Sequence, residues 1–513
     1  MPRRKTFAAI DVGSNEINMQ IAELDGEAPP RILTTLQRTL PLGIDTYTTG
    51  SISQTLLDDC VLVLQGLLSE MAAYQVAEYR AVATSAFREA ANSLIALDQI
   101  ERRCGLRVDV LDNTQERAYH ILSVATRMPD FAERIRQGTL IVDVGAGSIQ
   151  VSAFDKSRFI FSQNMLLGSL RIRELLADLE QRTADFAGLM DAYISSDLNN
   201  YRLLEPKDIA YKHLIILGGE MPYLKKLAGM DASETELSDE RLEALYRLLL
   251  TVRPFDLATY NGIPVEHASL ILPVTIILRK FIRFTGLRSL ELPAAHLCDA
   301  IQIEFARQHY GYKPPHNLAE DLINACRHIA RRYQVNQQHT ALVERLALQL
   351  FDKTAKLHRL PKRSRQLLQA AVILHDIGKY VNMSQHHIHS RELILASEII
   401  GLSRRETAVV AWTAGFHEGD LDMEAPDFAS LSGQDRLEVA KLASLLRLAN
   451  ALDSSHQQKI TDVEIHVDEQ DLVIQIRTKQ DIVLERWALE HHSPTFTRLF
   501  GIKPVIKIRG MRS

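Results

Sequence analysis

Residues Leu140–Phe154 read LIVDVGAGSIQVSAF, which is two apolar runs on either side of a glycine-rich break. Both runs have the composition of β-strands, and Gly145 and Gly147 stand where two antiparallel strands would turn. Glycine permits positive φ and lets a ligand approach the backbone closely. Backbone N–H groups next to the carboxylate of Asp143 and the hydroxyl of Ser148 suit a phosphate and its metal ion. A single copy would be better explained by an ordinary tight turn.

The same pattern occurs near the start of the chain and, in part, a third time. Phe7–Leu24 reads FAAIDVGSNEINMQIAEL, in which Asp11 follows the apolar run as Asp143 does in the later copy. Leu217–Glu220 reads LGGE and again follows an apolar run. Strands and helices alternate along this part of the chain, which predicts an α/β fold of two related lobes facing a shared cleft. Three loops in this order favour a ligand site over chance.

The composition is that of a globular protein with several domains. At 513 residues, the chain has room for about three or four of them. A net charge of −5 gives no general reason to expect a nucleic-acid partner, and no stretch approaches the roughly 20 apolar residues of a membrane span. Four cysteines lack metal-site or disulfide spacing, which favours a reducing cytoplasm: Cys60, Cys104, Cys298 and Cys326.

Two predicted helix starts carry candidate catalytic groups. Thr84 and Ser85 are good N-cap residues, so Arg88 would lie near a first turn, where N–H groups and a guanidinium can converge on an anion. Asp112 begins a second helix with a capping pattern, and Glu116 follows in its first turn. Arg88 is either a surface residue or an anion ligand. Glu116 is either an acid favoured by the helix dipole or a carboxylate placed to activate water.

The chain changes character after the second lobe. Tyr310–Pro315 reads YGYKPP, which is typical of a linker. Beyond it the pattern is helical to about Lys459, and the alternating segment Thr461–Ile476 predicts a small β-containing tail, with further strands at residues 482–484 and 505–508. The predicted domains are two α/β lobes at 1–125 and 126–310, a helical domain at 316–459 and a small α+β region at 460–513.

The helical domain contains an unusual set of ionisable residues. Imidazoles and carboxylates from separate segments could form a divalent-metal site that activates water: His339, His375, Asp376 and Asp453. An occupied site and the relic of one are equally compatible with the sequence. Weaker candidates for a second metal or a phosphate contact are His387, His389 and His417. Capping, surface or hydrogen-bonded core roles are expected for His328, His358 and His456.

Short motifs along the chain resemble the exopolyphosphatase/guanosine pentaphosphate phosphohydrolase (Ppx/GppA) family. They occur in the family's order: AIDVGSN at 9–15, VATSAFREAAN at 82–92, QE at 115–116, VDVGAGS at 142–148 and LGS at 167–169. The resemblance covers essentially the whole chain. It implies two actin-like (ribonuclease H-like) lobes with the active site between them, then an all-α HD-type domain and a small β-containing region.

The resemblance also implies roles for individual residues. Glu116 would be the base that orients water, Arg88 would hold the terminal phosphate, and Asp143 with Asp11 would hold Mg²⁺ in the cleft. The implied phosphate-binding residues are Ser14, Asn15, Gly145, Ala146, Gly147, Ser148, Gly218 and Gly219. The implied ligands of a divalent metal (Mn, Fe or Mg) in the HD-type domain are His339, His375, Asp376 and Asp453.

The sequence departs from the family pattern in its loops. The second loop usually reads DIGGGSTE, and residues 143–150 read DVGAGSIQ. Ala146 adds a methyl group to the turn, and Gln150 replaces a carboxylate that could bind metal. Gln115 replaces the first of two adjacent glutamates, and Glu220 puts an acid beside the third loop. Each change is expected to weaken the anion and metal site.

The predicted function is release of terminal phosphate from inorganic polyphosphate, or from guanosine pentaphosphate, by metal-assisted water attack in the cleft. One alternative is a regulator that binds polyphosphate or guanosine penta- and tetraphosphate without turnover. Another is a metal-dependent HD-domain nucleotide phosphohydrolase. No specific nucleic-acid partner is expected, and a homodimer is implied by the resemblance alone. Scattered arginines could contribute to a track for the polyanion, among them Arg102, Arg103, Arg327 and Arg365.

Overall fold

The computed structural model describes residues 5–231, 233–419, 421–468 and 470–508. The chain divides into two compact units, residues 1–318 and residues 319–513. The first unit contains two mixed β-sheets with helices, and the second is helical apart from a three-stranded sheet. No helix within these described ranges has the length and apolar character needed to cross a membrane.

The first lobe is built on a five-stranded sheet. Its strands are β1 (Lys5–Val12), β2 (Glu16–Leu24), β3 (Arg31–Thr39), β4 (Glu78–Ala83) and β5 (Val108–Val110). The helices of this segment are α1 (Gly43–Thr49), α2 (Gln54–Ala73), α3 (Ser85–Glu89), α4 (Ser93–Cys104) and α5 (Asn113–Arg127). The strand order is β3-β2-β1-β4-β5. β1 and β2 form the predicted antiparallel hairpin, and β4 lies parallel to β1.

The second lobe repeats the hairpin within a six-stranded sheet. Its strands are β6 (Gly138–Val144), β7 (Ile149–Asp155), β8 (Arg158–Met165), β9 (Tyr211–Leu217), β10 (Glu236–Ser238) and β11 (Ser289–Glu291), in the order β10-β11-β9-β6-β7-β8. The helices are α6 (Phe131–Arg134), α7 (Ser169–Leu175), α8 (Ala177–Glu180), α9 (Phe186–Leu204), α10 (Met221–Leu227), α11 (Asp239–Leu249), α12 (Pro254–Asn261), α13 (Val265–Ala268), α14 (Ile271–Thr285) and α15 (Leu297–Tyr310). Apolar side chains of β6, β7 and β9 pack with α9, α11 and α14.

Alternate residues of β1 are buried on opposite faces of the first sheet. Ala8 and Ile10 pack with the α2 and α4 side, whereas Phe7 and Ala9 pack with α15. The ring of Phe7 stacks on that of Phe305 at 4.1 Å between centroids. The chain therefore returns from the second lobe to cover the first sheet, although the sequence placed residues up to 310 in the second lobe. An apolar strand buried on both faces needs this second cover.

The second unit is a helical domain with a small sheet. Its helices are α16 (Leu318–Arg332), α17 (Gln337–Lys353), α18 (Ala355–His358), α19 (Lys362–Leu374), a 3₁₀ turn (Ile377–Tyr380), α20 (His386–Leu395), α21 (Arg404–Gly415), α22 (Pro426–Ala429), α23 (Gly433–Ala451) and α24 (Val483–Phe500). The strands β12 (Asp462–Val467), β13 (Asp471–Arg477) and β14 (Lys503–Ile508) pair in chain order. α17, α19, α21 and α23 pack on one another.

The tail differs from the sequence prediction at one point. Strands form in the predicted segments near 461–476 and 505–508, but residues 482–484, predicted as a strand, begin the helix α24. A run of three apolar residues fits either a strand or a helix start, and only the longer pattern that follows decides between them.

Candidate active site

The two glycine-rich hairpin turns close in the same way. The Gly13 N–H donates to the Glu16 carbonyl (2.9 Å), and the Gly145 N–H donates to the Ser148 carbonyl (3.0 Å). In both turns an aspartate stands two residues before that glycine. The repeat predicted from the sequence is therefore present as a repeated hydrogen-bonded turn.

The carbonyl groups of the second loop are bound to the start of α7. Ser169 N–H donates to the Gly145 carbonyl (3.0 Å), and Arg171 donates from its N–H to Ala146 O (3.1 Å) and from Nε to Gly147 O (2.7 Å). The three N–H groups that follow Gly145 form no hydrogen bond within the described part of the chain. The loop thus has its acceptors occupied while its donors remain available to a ligand.

Tyr47 joins the two glycine-rich loops, which the sequence did not predict. Its hydroxyl donates to Ser14 Oγ (2.8 Å) and lies 3.0 Å from Ser85 Oγ. Ser14 Oγ also accepts the N–H of Ala86 (3.0 Å). A Cβ atom on Gly147 would overlap the Tyr47 hydroxyl and approach Ser85 Oγ to 2.6 Å. A side chain at 147 would therefore force the Tyr47 and Ser85 hydroxyls to move, and the Ser14 hydroxyl is held in a network with them.

Glu116 is buried and paired with Arg88. Arg88 Nη1 donates to Glu116 Oε2 (2.8 Å) and to the Leu111 carbonyl (2.8 Å). The helix that carries Glu116 begins with a capping box in which Gln115 accepts the N–H of Asp112. Burial alone would raise the pKa of Glu116, but Arg88 and His120 hold it at about 2. Glu116 is thus ionised at neutral pH.

His120 is a member of the site that the sequence analysis missed. It lies one helical turn after Glu116, and its Nε2 is 3.8 Å from Glu116 Oε1 and 3.6 Å from Asp143 Oδ2. Burial opposes its charge, but the carboxylates of Asp143, Glu116 and Asp11 raise the pKa of His120 to about 9. The signal available in the sequence was the i, i+4 spacing from Glu116 on a predicted helix.

The two aspartates at the ends of β1 and β6 suit a cation. Asp11 Oδ1 is buried and has no hydrogen-bond partner among the described residues. Burial and the charge of Glu116 raise the pKa of Asp11 to about 8, and burial also raises the pKa of Asp143. A bound divalent cation would keep both groups ionised and satisfy the free oxygen, so these residues fit the Mg²⁺ site implied by the resemblance.

The third loop closes the cleft from the other side. Gly218 has φ = +143°, and a Cβ there would overlap the Val144 carbonyl, so only glycine fits. Gly219 faces the Glu16 carboxylate. Burial raises the pKa of Glu220, whose Oε1 lies 3.7 Å from His267 Nδ1. The acid that departs from the family pattern is therefore buried beside an imidazole.

These loops surround one cleft of about 250 Å³. The acids that line it are Asp11, Glu16, Glu116, Asp143 and Glu220. Among the described residues, Lys225 is the lysine or arginine that lines it, and His120 and His296 add imidazoles. A polyanion would be repelled by such a lining, so a phosphate ligand requires cations bound with it.

The arginines considered for a polyanion track are paired with acids. Arg102 contacts Asp98 at 2.6 Å, and Arg103 contacts Asp58 at 2.6 Å. In the second unit the same is true of Arg327 with Glu344 and of Arg365 with Asp352. Their charges are thus partly neutralised, and the track remains a prediction.

A second cluster lies within the helical unit around Asp376. Asp376 Oδ1 is 3.5 Å from His375 Nε2, 3.4 Å from His386 Nε2 and 3.8 Å from His417 Nε2. Two groups with metal-ligand spacing share Asp376. One contains His339 and His375, and the other contains His386 and His417. Burial lowers the pKa of His375 to about 4 and that of His417 well below its usual range, so both rings are neutral.

Two imidazole nitrogens of this cluster are buried without a hydrogen bond in the described part of the chain: His339 Nε2 and His375 Nε2. The other nitrogen of His339 contacts Asp453 Oδ2 at 2.8 Å, and that of His375 donates to the Val372 carbonyl (2.6 Å). Such an arrangement fixes the tautomer and directs Nε2 at a metal ion. The residues therefore fit a divalent metal, with Asp453 behind His339.

The remaining histidines of the helical unit divide as follows. Of the weaker candidates, His417 belongs to the Asp376 cluster, and His387 forms a neighbouring group with His386 and Glu418. His386 was missed by the sequence analysis. Both nitrogens of His358 are used in main-chain hydrogen bonds, with Phe351 O and Leu360 N at 2.9 Å each, as expected for a core histidine.

Two family models match the chain. The "Ppx/GppA phosphatase family" model covers residues 20–297, and the "Ppx/GppA phosphatase, domain III" model covers residues 323–493. The first spans more than half of the chain. The chain belongs to the Ppx/GppA phosphatase family. The two matches fall one in each compact unit described above.

Curated relatives agree with this assignment. The guanosine-5'-triphosphate,3'-diphosphate pyrophosphatase of Photobacterium profundum is 22% identical over 460 residues, covering 87% of this chain and 86% of the relative. Exopolyphosphatase 1 of Mycobacterium tuberculosis is 24% identical over 302 residues, covering 57% of this chain and 84% of the relative.

Solved structures share the fold of about three-fifths of the chain. An exopolyphosphatase from Cytophaga hutchinsonii superposes with a TM-score of 0.52 at 18% identity, covering 60% of this chain and 99% of that one. An exopolyphosphatase-like protein superposes with a TM-score of 0.53 at 20% identity, covering 60% and 98%. At these identities the likeness concerns the fold, which is the actin-like α/β fold predicted from the sequence.

Two of the positions at which this Ppx/GppA chain departs from the family pattern, Ala146 and Gln115, have structural roles. Ala146 offers its carbonyl to Arg171, and Gln115 completes the capping box of α5. Gln150 lies directly opposite Asp143 in the β6–β7 pair and is 2% exposed, and neither Oε1 nor Nε2 of its amide has a partner among the described residues.

Proposed function

We propose that this protein releases terminal phosphate from inorganic polyphosphate, or from guanosine pentaphosphate, by water attack in the cleft of the first unit. The observation that carries the proposal is Glu116, which is buried, lines the cleft and is paired with Arg88. Relatives named for both activities support the substrate class.

Glu116 is placed to orient the attacking water. Arg88 fixes Oε2 of Glu116 and keeps the carboxylate ionised. The other oxygen of Glu116, Oε1, can therefore accept a hydrogen bond from the water molecule that attacks the substrate phosphorus. Phosphoryl transfer needs positioning and charge neutralisation more than a strong base. Arg88 acts through Glu116 in this arrangement, rather than as the phosphate ligand that the resemblance implied.

The terminal phosphate would lie against the second loop. The N–H groups at residues 146–148 can donate to its oxygens, because they form no other hydrogen bond within the described part of the chain. The loop carbonyls are bound to α7, so the loop presents donors to the phosphate. Asp11 and Asp143 would hold a divalent ion, which supplies neutralisation of the phosphate charge when bound. The first and third loops, around Ser14 and Gly219, would contact the substrate phosphates that precede the terminal one.

Phosphate release from long-chain polyphosphate and from guanosine pentaphosphate, with Mg²⁺, tests this proposal. Glu116→Gln should lower the rate by about 10²–10⁴-fold, because the oriented water loses its acceptor charge. Glu101→Gln makes the same chemical change at an exposed acid on α4 and should leave the rate unchanged. Binding of either substrate without release by the wild type would favour the regulatory alternative.

The second candidate function is metal-dependent phosphohydrolysis in the helical unit, the HD-type activity implied by the resemblance. The buried, unpartnered Nε2 atoms of His339 and His375 favour it. These two rings and Asp376 would hold a divalent metal, which lowers the pKa of a bound water when present. Asp453 would keep the His339 ring oriented.

Metal analysis of the purified full chain tests the second candidate. His375→Ala should lower the content of bound Mn or Fe and remove any hydrolysis of bis(p-nitrophenyl) phosphate. His466→Ala changes an exposed histidine of β12 and should do neither. Equal metal content in the wild type and His375→Ala would contradict it. The homodimer stays a prediction, which sedimentation equilibrium tests.

A further inference from the structure

The cleft contains a nitrogen donor among its carboxylates. Glu116, His120 and Asp143 each offer one ligand atom, and these atoms all lie within 4.8 Å of one another. His120 Nε2 is within 3.8 Å of both carboxylates. His120 Nε2 and Asp143 Oδ2, 3.6 Å apart, can reach a common ion at the usual ligand distances of about 2.0–2.2 Å, which leaves Glu116 beside the ion to orient water.

The surroundings of these three residues also call for a ligand. Cross-strand neighbours share a face of the sheet, so the Gln150 side chain lies on the same face as that of Asp143. Its amide is buried, and both polar atoms are unpartnered in the described structure. Asp11 Oδ1, which lines the same cleft, is likewise unpartnered. Buried polar atoms without partners are rare in folded proteins and mark a place where a ligand belongs.

We infer that His120 is a ligand of the metal ion in the cleft and that it directs the site towards Mn²⁺ or another first-row transition metal in preference to Mg²⁺. Imidazole binds first-row transition metals more readily than it binds Mg²⁺, which takes oxygen ligands and water, although Mn²⁺ binds nitrogen least strongly in that series. This inference deepens the proposed function of the cleft and rests on it for the presence of a metal there.

The test separates the cleft from the histidines of the helical unit. The parent is the full chain carrying His339→Gln and His386→Gln, which removes one nitrogen from each group around Asp376. Mn²⁺ and Mg²⁺ affinities are measured by calorimetry without substrate, and pulsed EPR of bound Mn²⁺ detects directly coordinated ¹⁴N. Because no phosphate is released in either measurement, the result does not depend on whether the protein is an active phosphatase.

We expect a ¹⁴N coupling in the parent that disappears in His120→Gln. Mn²⁺ affinity should fall at least tenfold, and Mg²⁺ affinity should change less than threefold. His120→Asp, which restores an oxygen donor, should favour Mg²⁺. An Mn²⁺ affinity unaffected by His120→Gln, or an equal loss for both metals, would overturn the inference. If His120→Gln does not fold, the parent protein is measured by itself, and the absence of a ¹⁴N coupling there would overturn the inference.

Discussion

In the proposed function, the pairing of Arg88 with Glu116 gives the arginine a positioning role. Arg88→Met would remove the guanidinium from a buried carboxylate and leave it only His120, which should cost about 3 kcal/mol of folding stability and raise the pKa of Glu116. Phosphate release should then fall as the pH is lowered, because Glu116 takes up its proton at a higher pH than in the wild type. Urea unfolding and a pH–rate profile measure the two effects.

Arg88→Lys is the matched variant for this prediction. It loses the geometry in which Nη1 reaches both Glu116 and the Leu111 carbonyl, but it keeps the positive charge. Because that charge keeps Glu116 ionised, the pH–rate profile of Arg88→Lys should stay close to that of the wild type. A flat profile in Arg88→Met would show that the arginine does not keep Glu116 ionised.

Gln150 offers a second test at the residue scale. Gln150→Glu adds a buried carboxylate next to Asp143 and should lower metal-free stability by about 2 kcal/mol, because the new charge is removed from water and placed beside another acid. Divalent metal should restore the stability and bind more tightly than in the wild type. Thermal unfolding with and without metal measures both. Equal destabilisation under both conditions would indicate that position 150 lies outside the metal's reach.

Single residues show where sequence reasoning reached its limit. Glu116 and Asp143 could be proposed from motifs, but His120 becomes a neighbour of both only once the helix and the strand are packed. His386 precedes His387 and His389 in the chain, and nothing in the sequence says which of the three rings turns towards Asp376. Tyr47 carries no motif, and its role depends on two loops meeting.

At the scale of elements, the hairpin turns were the most predictable part of the fold. An Asp-Val-Gly after each apolar run predicted both, because the turn needs glycine close to backbone and hydroxyl atoms. The helix α15 was the least predictable, since its packing on the first sheet depends on the path of the whole chain. The tail helix α24 was misjudged at its first turn, where a short apolar run fits either type of element.

The packing of the second loop can be tested by two glycine substitutions. Gly147→Ala should displace the loop from Tyr47 and cost about 2 kcal/mol of stability with loss of phosphate release, because the added Cβ has no space. Gly66→Ala lies within α2, where nothing stands within 4 Å of the new Cβ, and should stabilise the protein by up to about 1 kcal/mol. Equal stability changes at both sites in chemical denaturation would refute the packing argument.

His358 gives a pH-dependence within the helical unit. Burial, with Lys441 nearby, lowers the pKa of His358 in the folded protein, so the unfolded chain takes up its proton first as the pH falls. The contribution of His358 to stability is therefore present above its unfolded value of about 6.5 and is lost as the pH falls below it. Between pH 7.5 and 5, the free energy of unfolding should depend more steeply on pH in the wild type than in His358→Gln. The same slope in both proteins would contradict this assignment.

For the whole molecule, the sequence predicted two glycine-loop lobes and a helical unit with its own ionisable cluster, and the structure has both sites built from buried groups. The family assignment follows from matches in each unit. What the sequence could not supply is which site carries the chemistry, because each holds acids and imidazoles in cation-binding positions.

The most direct test is therefore phosphate release from long-chain polyphosphate by the wild type, Glu116→Ala and His375→Ala, each shown to be folded. We predict that Glu116→Ala loses release by at least 10²-fold while His375→Ala retains it, because the carboxylate that we propose orients the water lies in the cleft. Loss in His375→Ala with release retained in Glu116→Ala would contradict the account and move the chemistry to the helical unit.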